Sequence, residues 1–205
     1  IRGAGGNFCA GRDLTRAAPR DLASSLAQDE TWTKVNRLLH TMSKPTVAVV
    51  EGYAVAGGFT LAMICDFVLA EQGAHFGALE MRRGFPAAIN TPVLSKLIGP
   101  RLALEFLLFG DLIPAQRLYE VGLINRVVEG AEALNQVAHQ FVGGLVALDP
   151  DAVRMTKESH RATVNMPLID ALEMGKLGNA LIAASGRMDE AMRGYADSKQ
   201  DGKEE

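Results

Sequence analysis

The run Thr46-Val-Ala-Val-Val-Glu51 is apolar on both faces, and Gly57-Gly58 then opens a second apolar segment, Phe59-Thr-Leu-Ala-Met-Ile-Cys65. A strand buried between two layers has this character. Its rapid hand-over to a helix, expected from about Gly58 to Cys65, points to a layered α/β arrangement. The first N–H groups of a helix have no partner inside it, so a glycine pair here leaves backbone amides available to a negatively charged oxygen.

Flanking segments extend the alternation. Ile1-Arg2 is the tail of a strand, Phe67-Val-Leu-Ala70 and His75-Phe-Gly77 are short strands, and Leu123 to Val128 is another. Trp32, Val35, Leu38, Leu39 and Met42 recur at helical spacing over Thr31 to Met42, and Lys44-Pro45 stops that helix. Residues 15 to 30 are polar and are expected to form a surface loop leading into it. Beyond Glu129 only helical patterns remain: Ala131 to Leu148, Pro150 to Val164, Leu168 to Ser185 and Arg187 to Ala196, broken at Asp149-Pro150, Pro167 and Gly186. The expected division is therefore an α/β core over 1–129 and a helical region over 130–205. Leu168, Ile169, Leu172, Met174, Leu177, Leu181 and Ile182 give one late helix an apolar face wide enough for core packing or a subunit interface. The charged tail from Asp197 to Glu205 is expected to fray.

With 205 residues the chain can bury about 70% of its extended surface. Its net charge of −3 gives no basic excess for nucleic acid. No apolar stretch reaches membrane-span length, and a cytoplasmic location is expected. Cys9 and Cys65 lack disulfide or metal spacing, and His40, His75, His139 and His160 are scattered, so no metal is expected. Dinucleotide and P-loop glycine motifs are missing, since Gly3-Ala-Gly-Gly-Asn-Phe8 fails at its last position. Neither a nucleophile elbow nor a zinc-protease helix is present.

Three segments remain: Phe8-Cys-Ala-Gly-Arg-Asp-Leu14; Gly52-Tyr-Ala-Val-Ala-Gly-Gly-Phe-Thr-Leu-Ala62 with Cys65-Asp66; and Phe76-Gly-Ala-Leu-Glu80 followed by Gly84-Phe-Pro86. In this order and spacing they resemble the crotonase superfamily, the enoyl-CoA hydratase/isomerase family. Lys44-Pro45, the passage Gly110 to Val128 and Asp189-Glu-Ala-Met-Arg193 are similar to the same family. The resemblance covers nearly the whole chain. By the same comparison, about 50 N-terminal residues that the family carries have no counterpart ahead of Ile1.

The resemblance implies a crotonase-type α/β spiral of ββα units, followed by a helical region that builds a homotrimer or a dimer of trimers. It implies an acyl-CoA thioester as the substrate, with coenzyme A as part of that substrate and no separate cofactor. The oxyanion that develops on the thioester would be held by the backbone N–H groups of Arg12 and Gly57, with Glu80 as general acid or base. Ala10, Asp13, Leu14, Tyr53, Val55, Ala56, Gly58, Thr60 and Leu79 fall at substrate-binding or pocket-lining positions of the family, with further lining from loops 15 to 30 and 86 to 92. The Arg12 side chain, with Arg16 and Arg20, either faces coenzyme A phosphates or belongs to a solvated loop.

Hydratases of the family carry a second glutamate three residues after the oxyanion glycine, where Thr60 stands, and the dienoyl isomerases' aspartate is replaced by Ala87-Ala88. One acid remains, which favours double-bond isomerisation over water addition. The alternatives are a hydratase (a lyase) working with Glu80 alone, and a non-catalytic acyl-CoA-binding or assembly protein.

Overall fold

Val47–Val50 (β1) is buried along its whole length. It runs parallel to Phe67–Glu71 (β3) with Val47 opposite Phe67 and Val50 opposite Ala70, and β3 pairs in parallel with Arg126–Val128 (β6). A second sheet holds Tyr53–Val55 (β2), His75–Gly77 (β4) and Ile113–Pro114 (β5), with β2 and β4 parallel and β5 antiparallel at the edge. This computed structural model describes residues 1–15, 21–186, 188, 189, 192 and 193. Arg16, Arg20 and the tail 197–205, together with part of the expected helix over 187–196, lie outside the described residues.

Chain order explains the spiral. β1 enters the first sheet, the turn at Gly52 sends β2 into the second, and Gly57–Ile64 (α2) returns the chain so that β3 and β4 repeat the path. Sequence periodicity merged β1 and the turn and missed β2, because three residues are too few to show alternation. The two ends of the repeat are pinned by side chains. Asp66 Oδ2 accepts from the Thr46 N–H at 2.7 Å and its hydroxyl at 2.8 Å, while Asn125 Oδ1 accepts from the Val68 N–H at 2.8 Å. Ile1 and Arg2 extend the first sheet through a parallel bridge from Arg2 to Val49, and Cys9 bridges Ala54 in the second. The Phe8–Leu14 segment is thereby laid alongside β2.

Between the sheets and α2 lies the main core, in which Phe59 and Phe76 are fully buried and meet edge to face at 6.0 Å. Asn90–Leu97 (α3) and Pro100–Phe109 (α4) close it through Leu94, Ala103, Phe106 and Leu107, and Ala115–Glu120 (α5) adds Leu118.

The first helix runs over Leu22–Thr41 (α1), nine residues earlier than the apolar spacing indicates. Asp21 is its N-cap and accepts from the Ser24 N–H at 2.7 Å. Most side chains of its first half are exposed, so the helix begins without an apolar stripe to announce it.

Two compact units are present, Ile1–Val153 and Arg154–Glu205. Ala131–Val146 (α6) belongs with the strands: Leu134 is fully buried against Val47, Val49 and Leu69, and Phe141 meets Phe67 edge to face at 5.1 Å. Pro150–Thr163 (α7) follows. In the second unit Leu168–Ala184 (α8) leaves Leu168, Ile169, Leu172, Leu177 and Leu181 exposed.

Candidate active site

The two glycine-bearing loops meet back to back. A Cβ built on Gly11 would lie 2.9 Å from Ala56 Cβ and 3.3 Å from the Gly57 nitrogen, and one built on Gly57 would lie 3.8 Å from Gly11 Cα. Side chains are excluded at this contact by space, and at Gly11 also by its φ of +83°. Arg12 follows Gly11 directly, so the Arg12 and Gly57 amides sit on adjoining segments. Among the described residues neither N–H has an acceptor within the chain.

The Gly57 amide is oriented by the peptide that carries it. Ala56 has φ 52° and ψ −121°, and it is the one positive-φ residue other than glycine among those described. That conformation turns the Ala56 carbonyl toward α2 and α3, where it accepts from Phe59 N–H at 3.0 Å, Thr60 N–H at 3.2 Å and Asn90 Nδ2 at 3.1 Å. In a trans peptide the N–H points opposite to the C=O, so three bonds on the Ala56 oxygen direct the Gly57 N–H the other way. Backbone strain of about 1–3 kcal/mol is retained at such a position when the surroundings over-determine it.

Arg12 and Gly57 both line a cavity of about 1060 Å³. Its walls include Ala10, Arg12, Asp13, Leu14, Val55, Ala56, Gly57, Thr60, Leu79 and Glu80, so ten of the positions expected from sequence are gathered there. Tyr53 and Gly58 are not among its lining residues. Tyr53 is exposed and stacks on His75 at 5.8 Å. Gly58 lies beneath the surface, where any Cβ would come within 2.0 Å of the Cys9 carbonyl oxygen. The expected loop contributions also appear: Gln28 and Asp29, on α1 rather than on a loop, and Pro86, Ala88 and Ile89.

Glu80 begins the short turn after β4 and caps it, its carbonyl accepting from Arg83 N–H at 2.9 Å. Its carboxylate is asymmetric. Oε1 accepts from Asn90 Nδ2 at 2.9 Å, whereas Oε2 is buried and has no hydrogen-bond partner among the described residues. A buried carboxylate oxygen without a donor is rare and costly unless something else uses it. Thr60, fully buried, donates its hydroxyl to Asn90 Oδ1 at 2.8 Å. The Arg12 guanidinium is paired with Asp29, which also lines the cavity. Asp13 is exposed, and its bonds from the Thr15 side chain and N–H hold its carboxyl below the ordinary aspartate range.

Asn90 and Trp32 were not legible as site residues. Trp32 reads as one position of a helical stripe, yet its indole comes within 3.4 Å of a Cβ built on Gly57. Asn90 lies in the passage Ala87-Ala-Ile-Asn-Thr-Pro92, which reads as a loop. Its meaning depends on three partners 10 to 34 residues away in sequence. No group of three or more His, Cys, Asp or Glu side chains among the described residues is arranged to hold a metal ion. No helix among them is long and apolar enough to cross a membrane.

Residues 1–202 match the family described as enoyl-CoA hydratase/isomerase. The chain is 31% identical over 197 residues to a crotonyl-CoA hydratase of Syntrophomonas wolfei, covering 95% of this chain and 75% of that protein. It is 32% identical over 181 residues to a 2,3-dehydroadipyl-CoA hydratase of Escherichia coli, covering 87% and 69% respectively. Among solved structures, an enoyl-CoA hydratase of Bacillus anthracis superimposes with a TM-score of 0.88 at 27% identity, over 96% of this chain and 77% of that one. The crotonase-type fold expected from sequence is thus the fold observed.

Proposed function

Because the chain belongs to the enoyl-CoA hydratase/isomerase family, we propose that it moves a double bond along an enoyl-CoA thioester, with one carboxylate carrying the proton. The thioester oxygen is held by the N–H groups of Arg12 and Gly57. Glu80 Oε2 removes a proton from C2 of a 3-enoyl thioester, and the electron pair passes through the conjugated system to the carbonyl oxygen. Glu80 then returns the proton at C4, giving the 2-enoyl thioester with no net gain or loss of atoms. Each amide is worth roughly 3–4 kcal/mol of transition-state stabilisation, because it already faces the position where charge develops.

The observation that carries this reading is the pairing, in one cavity, of two amides without acceptors and a single buried carboxylate oxygen without a donor. Water addition in the family uses two carboxylates. Here the second position is Thr60, whose proton is committed to Asn90 rather than to a water. Acyl and pantetheine groups would lie along Trp32, Val35, Leu79, Phe85 and Ile89. The same reading calls for no metal or redox cofactor, coenzyme A arriving as part of the substrate, and for a cytoplasmic enzyme. A homotrimer or dimer of trimers built through the region 130–205 is part of it, and the exposed leucines of α8 support that assembly.

A panel of 2-enoyl-, 3-enoyl- and 3-hydroxyacyl-CoA thioesters, assayed with wild type and Glu80→Gln, tests the proposal. Conversion of a 3-enoyl-CoA that collapses in Glu80→Gln is expected. Efficient hydration of crotonyl-CoA would replace isomerisation by the hydratase reading, which the names of the relatives favour. Equal rates for the two proteins would remove Glu80 from the mechanism, and binding without turnover would leave an acyl-CoA-binding protein.

A further inference from the structure

Asn90 has no exposed atom of consequence and does not line the cavity, yet it touches both halves of the catalytic apparatus. Its amide has two N–H donors and one carbonyl acceptor, and each is engaged in the expected sense. Nδ2 donates to Glu80 Oε1 at 2.9 Å and to the Ala56 carbonyl at 3.1 Å, and Oδ1 accepts from Thr60 Oγ1 at 2.8 Å. Rotating the amide by half a turn would set its oxygen against a carboxylate and a carbonyl, two acceptors with no proton between them. The orientation is therefore fixed by its neighbours, and the Thr60 hydroxyl is the group that locks it from below.

We propose that Asn90 is a positioning residue that couples the acid/base to the oxyanion site. Through Nδ2 it occupies Oε1 of Glu80 and so makes Oε2 the oxygen that takes and returns the proton. Through the Ala56 carbonyl it holds the strained peptide whose other end is the Gly57 N–H. Thr60 serves this arrangement: where a second carboxylate would stand in a hydratase, a hydroxyl instead fixes the amide that orients the first. This inference rests on the proposed proton-transfer role of Glu80, but its geometric content can be tested without turnover.

Two measurements decide it. Crystal structures of wild type, Asn90→Ala and the volume-retaining Asn90→Leu are expected to show the Glu80 carboxylate rotated or the Ala56–Gly57 peptide turned in both variants. A carboxylate and peptide that keep their wild-type positions overturn the proposal, whatever the rates. On a 3-enoyl-CoA, both variants are expected to lose kcat on the order of 10²-fold with KM within about threefold, since a displacement near 1 Å at reacting groups has that effect. A loss confined to KM, or kcat unchanged in both variants, overturns it as well. Thr60→Val should lower kcat in the wild-type background and change it by less than about twofold once Asn90 is alanine, because the two act as one unit. Additive losses would show that Thr60 acts independently of Asn90. If wild type turned over none of the thioesters, the isomerase reading would fall while the crystallographic comparison still judged Asn90.

Discussion

Substituting Gly11 by alanine places a methyl group between the two amides proposed to hold the thioester oxygen. At φ +83° the new residue takes a left-handed conformation, which costs about 1–2 kcal/mol. Its Cβ would also stand 2.9 Å from Ala56 Cβ and 3.2 Å from the Val55 oxygen, which adds about 1–3 kcal/mol of overpacking. The sum, about 2–5 kcal/mol, corresponds to a fall in Tm of roughly 4–20 °C for a chain of this size. Relief of the contact requires Arg12 or Gly57 to move, so one oxyanion donor is lost and kcat should fall about 10²- to 10³-fold. Gly5→Ala supplies the control: its φ is +74° and a Cβ there meets nothing within 4 Å. It should lose about 1–2 kcal/mol of stability and keep its activity. Thermal unfolding followed by circular dichroism, with steady-state rates on a 3-enoyl-CoA, separates the two effects. A folded Gly11→Ala protein with kcat within about threefold of wild type would refute the placement of the oxyanion between these loops.

Ala56→Gly removes about 1–3 kcal/mol of strain at φ 52°, ψ −121° against a backbone-entropy cost of about 0.5–1 kcal/mol, so urea unfolding should show no loss and a net gain of up to about 2.5 kcal/mol. Bonds from the Ser24 side chain and N–H hold the Asp21 carboxyl below the ordinary aspartate range. The N-cap of α1 is therefore intact above that range and is lost as the pH falls through the lowered value, so the protection of the Ser24 and Ser25 amides, taken relative to their intrinsic exchange rates, should fall in acid. Asp21→Asn should keep the cap and abolish that pH dependence. Leu134→Ala should cost about 2–5 kcal/mol in chemical denaturation, since Leu134 is fully buried against β1 and β3.

What the sequence disclosed follows the kind of physics involved. Strands that are apolar on both faces, prolines that stop helices and a glycine pair at a helix start are local signals, so β1, β3, β4 and α2 were readable residue by residue, while the meeting of the Gly11 and Gly57 segments was legible only through the family resemblance. The early turns of α1 were not, because they are stabilised by an N-cap and exposed polar side chains rather than by a buried stripe. Tyr53 is not among the lining residues of the cavity, for a reason that lies in its surroundings. Its ring stacks on His75, whereas Val55, on the same face of β2, lines the cavity, so a motif position alone does not say which residues of a face reach it. Asn90 is the harder case, since an amide acquires a role only from partners that the fold brings to it. Nothing in Ala87-Ala-Ile-Asn-Thr-Pro92 encodes Glu80, Ala56 and Thr60 together.

That dependence bears on how one family member could acquire the chemistry of another. Thr60→Glu restores the second carboxylate of a hydratase in sequence terms, but position 60 is fully buried and its side chain faces Asn90 Oδ1, an acceptor, at 2.8 Å. A carboxylate there meets a carbonyl without a proton between them. Were Asn90 to flip and donate to it, Glu80 Oε1 would lose its donor, at about 1–3 kcal/mol for a buried group left unsatisfied, and the Ala56 carbonyl would keep only its two backbone donors. Thr60→Glu alone should therefore lose the proposed isomerisation and gain no hydration of crotonyl-CoA, with a lowered Tm. Combined with Asn90→Gly, which removes the opposing carbonyl and opens space for the longer side chain, it should recover stability relative to Thr60→Glu. Any measurable hydration should appear only in that double variant. Hydration by Thr60→Glu alone, at a rate above wild type, would show that the amide does not govern which acids this site can hold.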